Sequence, residues 1–337
     1  MGVSHDAPLT STELGRLWRS LSYCSMLKCI YHHFANHLHD AYLHQIFDEG
    51  FAMLDTRIRQ TTELLKSAAY PLPLGFSEED VDLNAPRLYS DLFYYYYTFT
   101  ISQIDVSLGG MNLAAATRGD VREFYTKSLE ATMRYFNTFN ELMLQKGLYI
   151  RPPFISTAGE KDYVDRQSFL RGFLGERRLL LAAEIEQLFL GYRNNEVVAE
   201  LLTGFSQVVK TEQVRSFLNR GVAIARKHID IFTTVMEKEN LPLPSHGEEA
   251  VTDSTVSPFS KRLMMNHVIA LSQIGIGNYA TAMASSTRHN LSTAFARLIM
   301  ESANYAEDGL NIMIENGWFE ESPRHIDRRD LRDKMKH

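Results

Sequence analysis

Apolar residues return every three or four positions along most of the chain, and the strict alternation of a half-buried strand is nowhere sustained. The spacing predicts long amphipathic helices over about 10–38, 40–67, 86–117 and 119–146, and again over about 181–209, 211–239, 257–287 and 289–316. Breaks fall where backbone chemistry puts them. Pro71-Leu72-Pro73 and Pro242-Leu243-Pro244 end the second helix of each set, because proline lacks the N–H that a continuing helix needs. Gly147 and Gly317 stand where a left-handed C-terminal cap belongs, and Pro86 and Pro258 stand in the tolerated first turn of each third helix. The fold class is all-α.

The second set of helices is a copy of the first. A shift of 171 residues lays Glu13, Leu17, Phe34, Gly50, Ile58 and Thr62 on Glu184, Leu188, Phe205, Gly221, Ile229 and Thr233. After one deletion a shift of 170 pairs Glu78-Glu79 with Glu248-Glu249, Ser102-Gln103-Ile104 with Ser272-Gln273-Ile274, and Thr117-Arg118 with Thr287-Arg288. A period this long means two related domains joined head to tail, not an array of short repeats. The predicted division is 1–155, a connecting segment 156–180, and 181–337. Within each copy, helices one and two and helices three and four are joined by almost nothing, whereas about 17 residues separate two from three. That pattern suits a four-helix bundle with a single long crossover. Phe154, Tyr163, Phe169 and Phe173 predict that the joining segment packs on the bundles.

Composition narrows the function classes. A formal charge of -6 with interspersed signs gives no electrostatic footprint for nucleic acid, and Arg328 to Lys336 reads as a solvated end. No stretch of about 18 apolar residues predicts a membrane span, and the start MGVSHDAPLT lacks the pattern of a secretory signal. Cys24 and Cys29, the only cysteines, diverge on one helix, so a mutual disulfide is disfavoured and a reducing cytoplasm is the expected compartment.

One ligand-capable side chain per helix of the second copy falls on a predicted inward stripe: Glu196, His228, His267 and Glu307. At ~1.5 Å of rise per residue, Glu196 and His228 differ in depth by about 6 Å from their shared joint, and His267 and Glu307 by about 3 Å. The first copy carries Ser25, Arg57, Tyr97 and Asn137 at these four places. All four change together, as ligands of one ion would. Two imidazoles and two carboxylates suit a mononuclear transition metal, Fe(II) first and Mn(II) or Zn(II) as alternatives, with Glu200 as the residue to join if a second ion binds. The competing reading is a hydrogen-bonded core network without metal, since buried carboxylates need partners of some kind.

Other residues carry smaller expectations. Asp105 is a candidate buried acid answering Arg57; the cluster His32, His33, His37, His39 and His44 reads as surface; Tyr94 to Tyr97 read as core and interface, or as the lining of a small-molecule pocket. No Gly-rich phosphate loop and no Ser-His-Asp order stands out.

Thr12-Glu-Leu-Gly-Arg-Leu-Trp18, the phrase Gly75 to Pro86, Gly147-Leu-Tyr-Ile-Arg-Pro-Pro153 and Tyr305-Ala-Glu-Asp-Gly309 resemble a family of uncharacterised, duplicated ferritin-like proteins of endospore-forming bacteria. Each half is similar to the spore coat protein F type of domain. The resemblance implies tandem four-helix bundles, a cytoplasmic or spore-associated protein, and spore proteins or further copies of itself as partners. Ferritin-like di-iron sites use Glu-x-x-His, but Ala225 precedes His228 by three and Met264 precedes His267 by three, which argues against di-iron oxidase chemistry.

Overall fold

Four long helices form each half of the computed structural model, which describes residues 7–155, 163–173, 178–243 and 250–325. They are α1 (Ser11–Ala35), α2 (Ala41–Ser67), α3 (Asp91–Ala114) and α4 (Gly119–Gln145), then α5 (Ala182–Val208), α6 (Glu212–Lys238), α7 (Lys261–Ser285) and α8 (His289–Glu315). Short joints make α1/α2, α3/α4, α5/α6 and α7/α8 antiparallel neighbours. Contacts α2/α4, α5/α7 and α6/α8 close the two bundles. No described helix is long and apolar enough to cross a membrane. The tail 328–336 and the second-copy residues Pro244, Glu248 and Glu249 lie outside the described residues.

Helix ends follow the expected chemistry in matched places. Gly147 and Gly317 take φ of 69° and 67° after α4 and α8, and Ala69 and Asn240 take φ of 56° and 54° after α2 and α6. Each closes its helix by the same pair of backbone bonds, as Leu148 N to Met143 O and Gly147 N to Leu144 O do after α4. Pro71 and Pro242 follow two residues beyond the left-handed position, so proline confirms a stop that the cap has already made.

The start of the third helix differs from expectation. Pro86 and Pro258 do not open α3 and α7; Ser90 and Ser260 cap them instead, each accepting from a backbone N–H three residues on. The residues before those caps are extended because they pair with the other copy. Val81 bridges Phe259 and Tyr89 bridges Val251, both antiparallel. Asp82 N donates to Pro258 O and Thr252 N to Leu88 O; Ser90 N donates to Ala250 O and Ser260 N to Asp80 O. Under the 170-residue shift each bond maps onto its partner. The two crossovers therefore meet as the two sides of an isologous dimer interface do, in one covalent chain with a pseudo-two-fold axis.

Side chains repeat the exchange with one substitution in shape. Tyr89 is fully buried and donates to Leu201 O of α5 at 2.7 Å, its ring lying where Gly204 has no side chain. A Cβ at Gly204 would meet that ring at 2.5 Å. On the matched side Phe259 lies against His33, ring centroids 5.3 Å apart, and position 33 maps onto 204. A larger ring over glycine thus faces a smaller one over histidine. One apolar cluster runs through this seam, from Cys24 and Phe34 through Tyr97 to Phe205 and Met264, with smaller clusters at the two far ends. The copies share a core instead of having one each.

The joining segment is only partly packed. Gly172 is buried against Asn290, and Arg178 lies over the Phe169 ring at 4.3 Å. Phe154 and Tyr163 are each 91% exposed and Phe173 is also exposed, so the expectation from aromatic content fails for these three. Composition alone does not distinguish an aromatic that packs from one that does not.

Candidate functional site

Each copy has one buried carboxylate tying the start of its first helix to the start of its fourth. Glu13 accepts from Thr10 N and Thr10 Oγ1 with one oxygen, and from Thr117 N, Thr117 Oγ1 and Arg118 N with the other, at 2.7–3.0 Å. Glu184 accepts from Leu181 N, from Arg288 N and from both terminal nitrogens of Arg178. Burial alone would raise both carboxyls, but these donors hold each down at about 2. The repeat pairs Glu13/Glu184 and Thr117-Arg118/Thr287-Arg288 are thus two halves of one latch.

Deeper in the bundles the copies diverge. Arg57 of α2 donates to Asp105 of α3 at 3.1 Å, to Ser128 O at 3.3 Å and to the Thr132 hydroxyl of α4. The expected acid is therefore Asp105. His228, at the matched place on α6, is also buried, at 1% exposed. Asn195 Nδ2 donates to the Tyr279 hydroxyl at 2.7 Å, which leaves that O–H to donate to His228 Nδ1 at 2.9 Å. His228 Nε2 then carries the proton that meets Glu301 at 3.1 Å, and Glu301 also holds Lys227 at 2.8 Å. Burial lowers the His228 pKa, so the ring is neutral in this chain, while Lys227 and His228 lower that of Glu301.

His267 of α7 is fully buried and shares a 3.0 Å hydrogen bond with the Tyr97 hydroxyl of α3. Tyr97 is the residue that replaces His267 in the first copy, so the matched positions touch each other at the pseudo-two-fold axis. Burial pushes His267 down to about 3, and its Nδ1 has no partner. Glu196 is half-buried and takes a hydrogen bond from Tyr192; Glu200, one turn on, is raised to about 7 by burial and then by Glu196. Glu307 is exposed.

The four candidates are therefore not brought together. His228 ends on Glu301, His267 on Tyr97, Glu196 on Tyr192, and Glu307 on solvent. Among the described residues no group of three or more His, Cys, Asp or Glu is placed to hold a metal ion. The residues do not fit a mononuclear ion. The physical reason is helix phase and sharing of the core. The inward face of α8 is Leu291, Phe295, Leu298, Tyr305, Gly309 and Met313, not the flanking line through Ile299, Ala303 and Leu310 that included Glu307. His267 faces the other copy, which a single-bundle reading leaves out. The surface reading of the N-terminal histidines holds for His39 and His44 and fails for His33, which is 0% exposed, packs on Phe259 and His37, and is lowered to about 3 by burial.

Tyr279, Glu301 and Asn195 escaped the sequence reading. Tyr279 faces Gly109 and Glu301 faces Ala131 under the 170-residue shift, so a search for polar gains in the second copy would have found both. Glu301 opens onto a cleft of about 430 Å³ between α6 and α8, whose walls include Arg220, Ile224, Lys227, Arg297 and Asp308.

Both halves match one family description, "Protein of unknown function (DUF3231)", over residues 1–160 and again over 168–331. The chain belongs to the DUF3231 family. It carries the DUF3231 unit twice, in the register of the two four-helix copies. No curated protein matches the chain. Among solved structures, a "putative spore coat protein" from Bacillus halodurans C-125 is similar, 23% identical, covering 45% of this chain and 98% of its own, with a TM-score of 0.41.

Proposed function

We propose that the protein is a structural or assembly component associated with the spore, and that its buried histidines form a hydrogen-bonded core network instead of a metal centre. The observation that carries this reading is the Tyr97–His267 bond: the residue best placed to be a ligand is committed to the matched residue of the other copy. Although the bare Nδ1 of His267 carries a desolvation cost, that bond ties the two matched residues together across the shared core. The His228 chain does the same within the second bundle. The spore setting rests on the sequence phrases that resemble the spore coat protein F type of domain, and the partners it implies are other spore proteins and further copies of this chain.

Two measurements test the reading. Chelator treatment leaves the unfolding midpoint unchanged, and elemental analysis of protein purified without chelator finds no stoichiometric transition metal; one bound ion per chain, lost in His228→Ala, refutes the network. A fluorescent fusion expressed in a sporulating host concentrates at the developing spore, whereas an even distribution through the mother cell counts against association.

A further inference from the structure

The α6/α8 cleft has no part in the core network beyond the carboxylate that closes it. At about 430 Å³ it is an open groove of small-molecule size, with the cations Arg220 and Lys227 on its α6 wall and Arg297, Glu301 and Asp308 on its α8 wall. Arg220 faces Asp308 at one end, at 2.7 Å, and Lys227 faces Glu301 in the middle, at 2.8 Å. Arg297, one turn before Glu301 on α8, lines the cleft with no carboxylate among the described residues answering it. The cleft thus carries a surplus cation in a chain whose formal charge is -6.

What distinguishes this groove from an ordinary charged surface is the support behind Glu301. An exposed lysine–carboxylate pair is held loosely and contributes little. Here the carboxylate is fixed by His228, which is fixed by Tyr279 and Asn195, and all of these are hydrogen-bonded. Lys227 is therefore held at a set place, with at least one N–H beyond those it gives Glu301, beside an arginine that has no partner among the described residues. The first copy keeps a cation only at the Arg297 position, as Lys127; Glu49, Met53 and Thr56 stand for Arg220, Ile224 and Lys227, and Ala131 stands for Glu301. There Arg57 instead reaches across to α4 and ties the helices together.

We propose that the α6/α8 cleft binds a small organic oxyanion, a carboxylate or a phosphate monoester, with its anionic group between Lys227 and Arg297 and its apolar body on Ile224. This binding does not depend on the structural role proposed above. The test is titration of the full chain, at ionic strength held constant with chloride, with inorganic phosphate in one arm and malonate in the other, following the unfolding temperature and the heat of binding. A saturable rise is expected with at least one anion, and the arm that gives it distinguishes phosphate from carboxylate. Loss of one charge-assisted contact in Arg297→Ala weakens binding about tenfold or more. The matched first-copy variant Lys127→Ala leaves it unchanged, and both variants keep the wild-type urea midpoint because both side chains are exposed. No saturable response to either anion, a response unaltered in Arg297→Ala, or an equal loss in Lys127→Ala overturns the proposal.

Discussion

Arg57 and His228 occupy the same place in the two copies, and the surroundings of each have followed its charge. Around the permanent cation, α3 supplies Asp105 and α4 supplies Thr132 and Ser128 O, so the first bundle is crossed by a buried ion pair. Around the neutral imidazole, α7 supplies a tyrosine and α8 a carboxylate near the surface, so the second bundle is crossed by a directional chain that leads outward. The helices and their ends stayed in register while the polar interior was rebuilt as a unit. The 57/228 position stayed polar in both copies, but its partners arose at different positions, with Asp105 standing opposite Gly275, Tyr279 opposite Gly109 and Glu301 opposite Ala131.

The largest test of that contrast is to remove one partner in each copy. Asp105→Ala leaves Arg57 buried without its counter-charge and costs about 3–5 kcal/mol. His228→Ala removes a neutral hydrogen-bonded ring and costs about 1–3 kcal/mol. Urea unfolding of the two variants measures both, and a His228 variant as damaging as Asp105→Ala would mean that the second copy also holds a charge.

Acid acts on the two copies alike. His33 and His267 are both fully buried and both lowered from 6.5 to about 3, so the folded state excludes a proton that the unfolded chain takes up. Their contribution is complete above pH 6.5 and declines as pH falls below it, by about 1.4 kcal/mol per pH unit for each ring. Between pH 7 and pH 5 the chain loses about 4 kcal/mol from the pair, and His33→Phe or His267→Phe removes about half of that dependence. A stability curve flat between pH 7 and pH 5 contradicts the burial of these rings.

The latch carboxylates act in a lower window. Glu13 and Glu184, lowered from 4.5 to about 2, contribute fully above pH 4.5 and lose that contribution as pH falls toward 2. Glu13→Gln and Glu184→Gln each cost about 2 kcal/mol at neutral pH and flatten the acid limb below pH 4.5. A loss confined to one of the two would show that the copies no longer share the latch.

The repeat made much of this legible. Helix phase and the caps at Gly147 and Gly317 follow from local backbone rules, and Arg57–Asp105 could be read because a buried guanidinium demands an acid. The latch was visible only as three repeated residues, since their contact needs the packing of α1 on the start of α4. What stayed hidden depends on the seam between copies. The extended pairing of 80–90 with 250–260, the burial of His33 and the Tyr97–His267 bond all need a second bundle, and no periodicity within one helix reports its neighbour across an interface. Glu307 was misplaced for a simpler reason: α8 has apolar residues on two adjacent lines, and a 100° error in phase exchanges inside for outside.

The smallest expected effect concerns another residue at the seam. Arg193 of α5 is 5% exposed, donates to Gln103 of α3, lies 5.2 Å from the centre of the Phe99 ring and has a bare Nε. Its matched residue in the first copy is Ser22, which only bonds back to Trp18 O. No carboxylate among the described residues pairs with Arg193, and burial lowers its pKa to about 10. Removing an unpaired buried cation relieves its desolvation cost while giving up one amide contact and the ring contact. Arg193→Met keeps the unbranched stem against Phe99, and its urea midpoint should stay within about 1 kcal/mol of wild type or rise. A loss of about 3 kcal/mol or more would mean that the guanidinium, not the apolar stem, holds α5 to α3. The seam would then be polar on this side as well as at Tyr97 and His267.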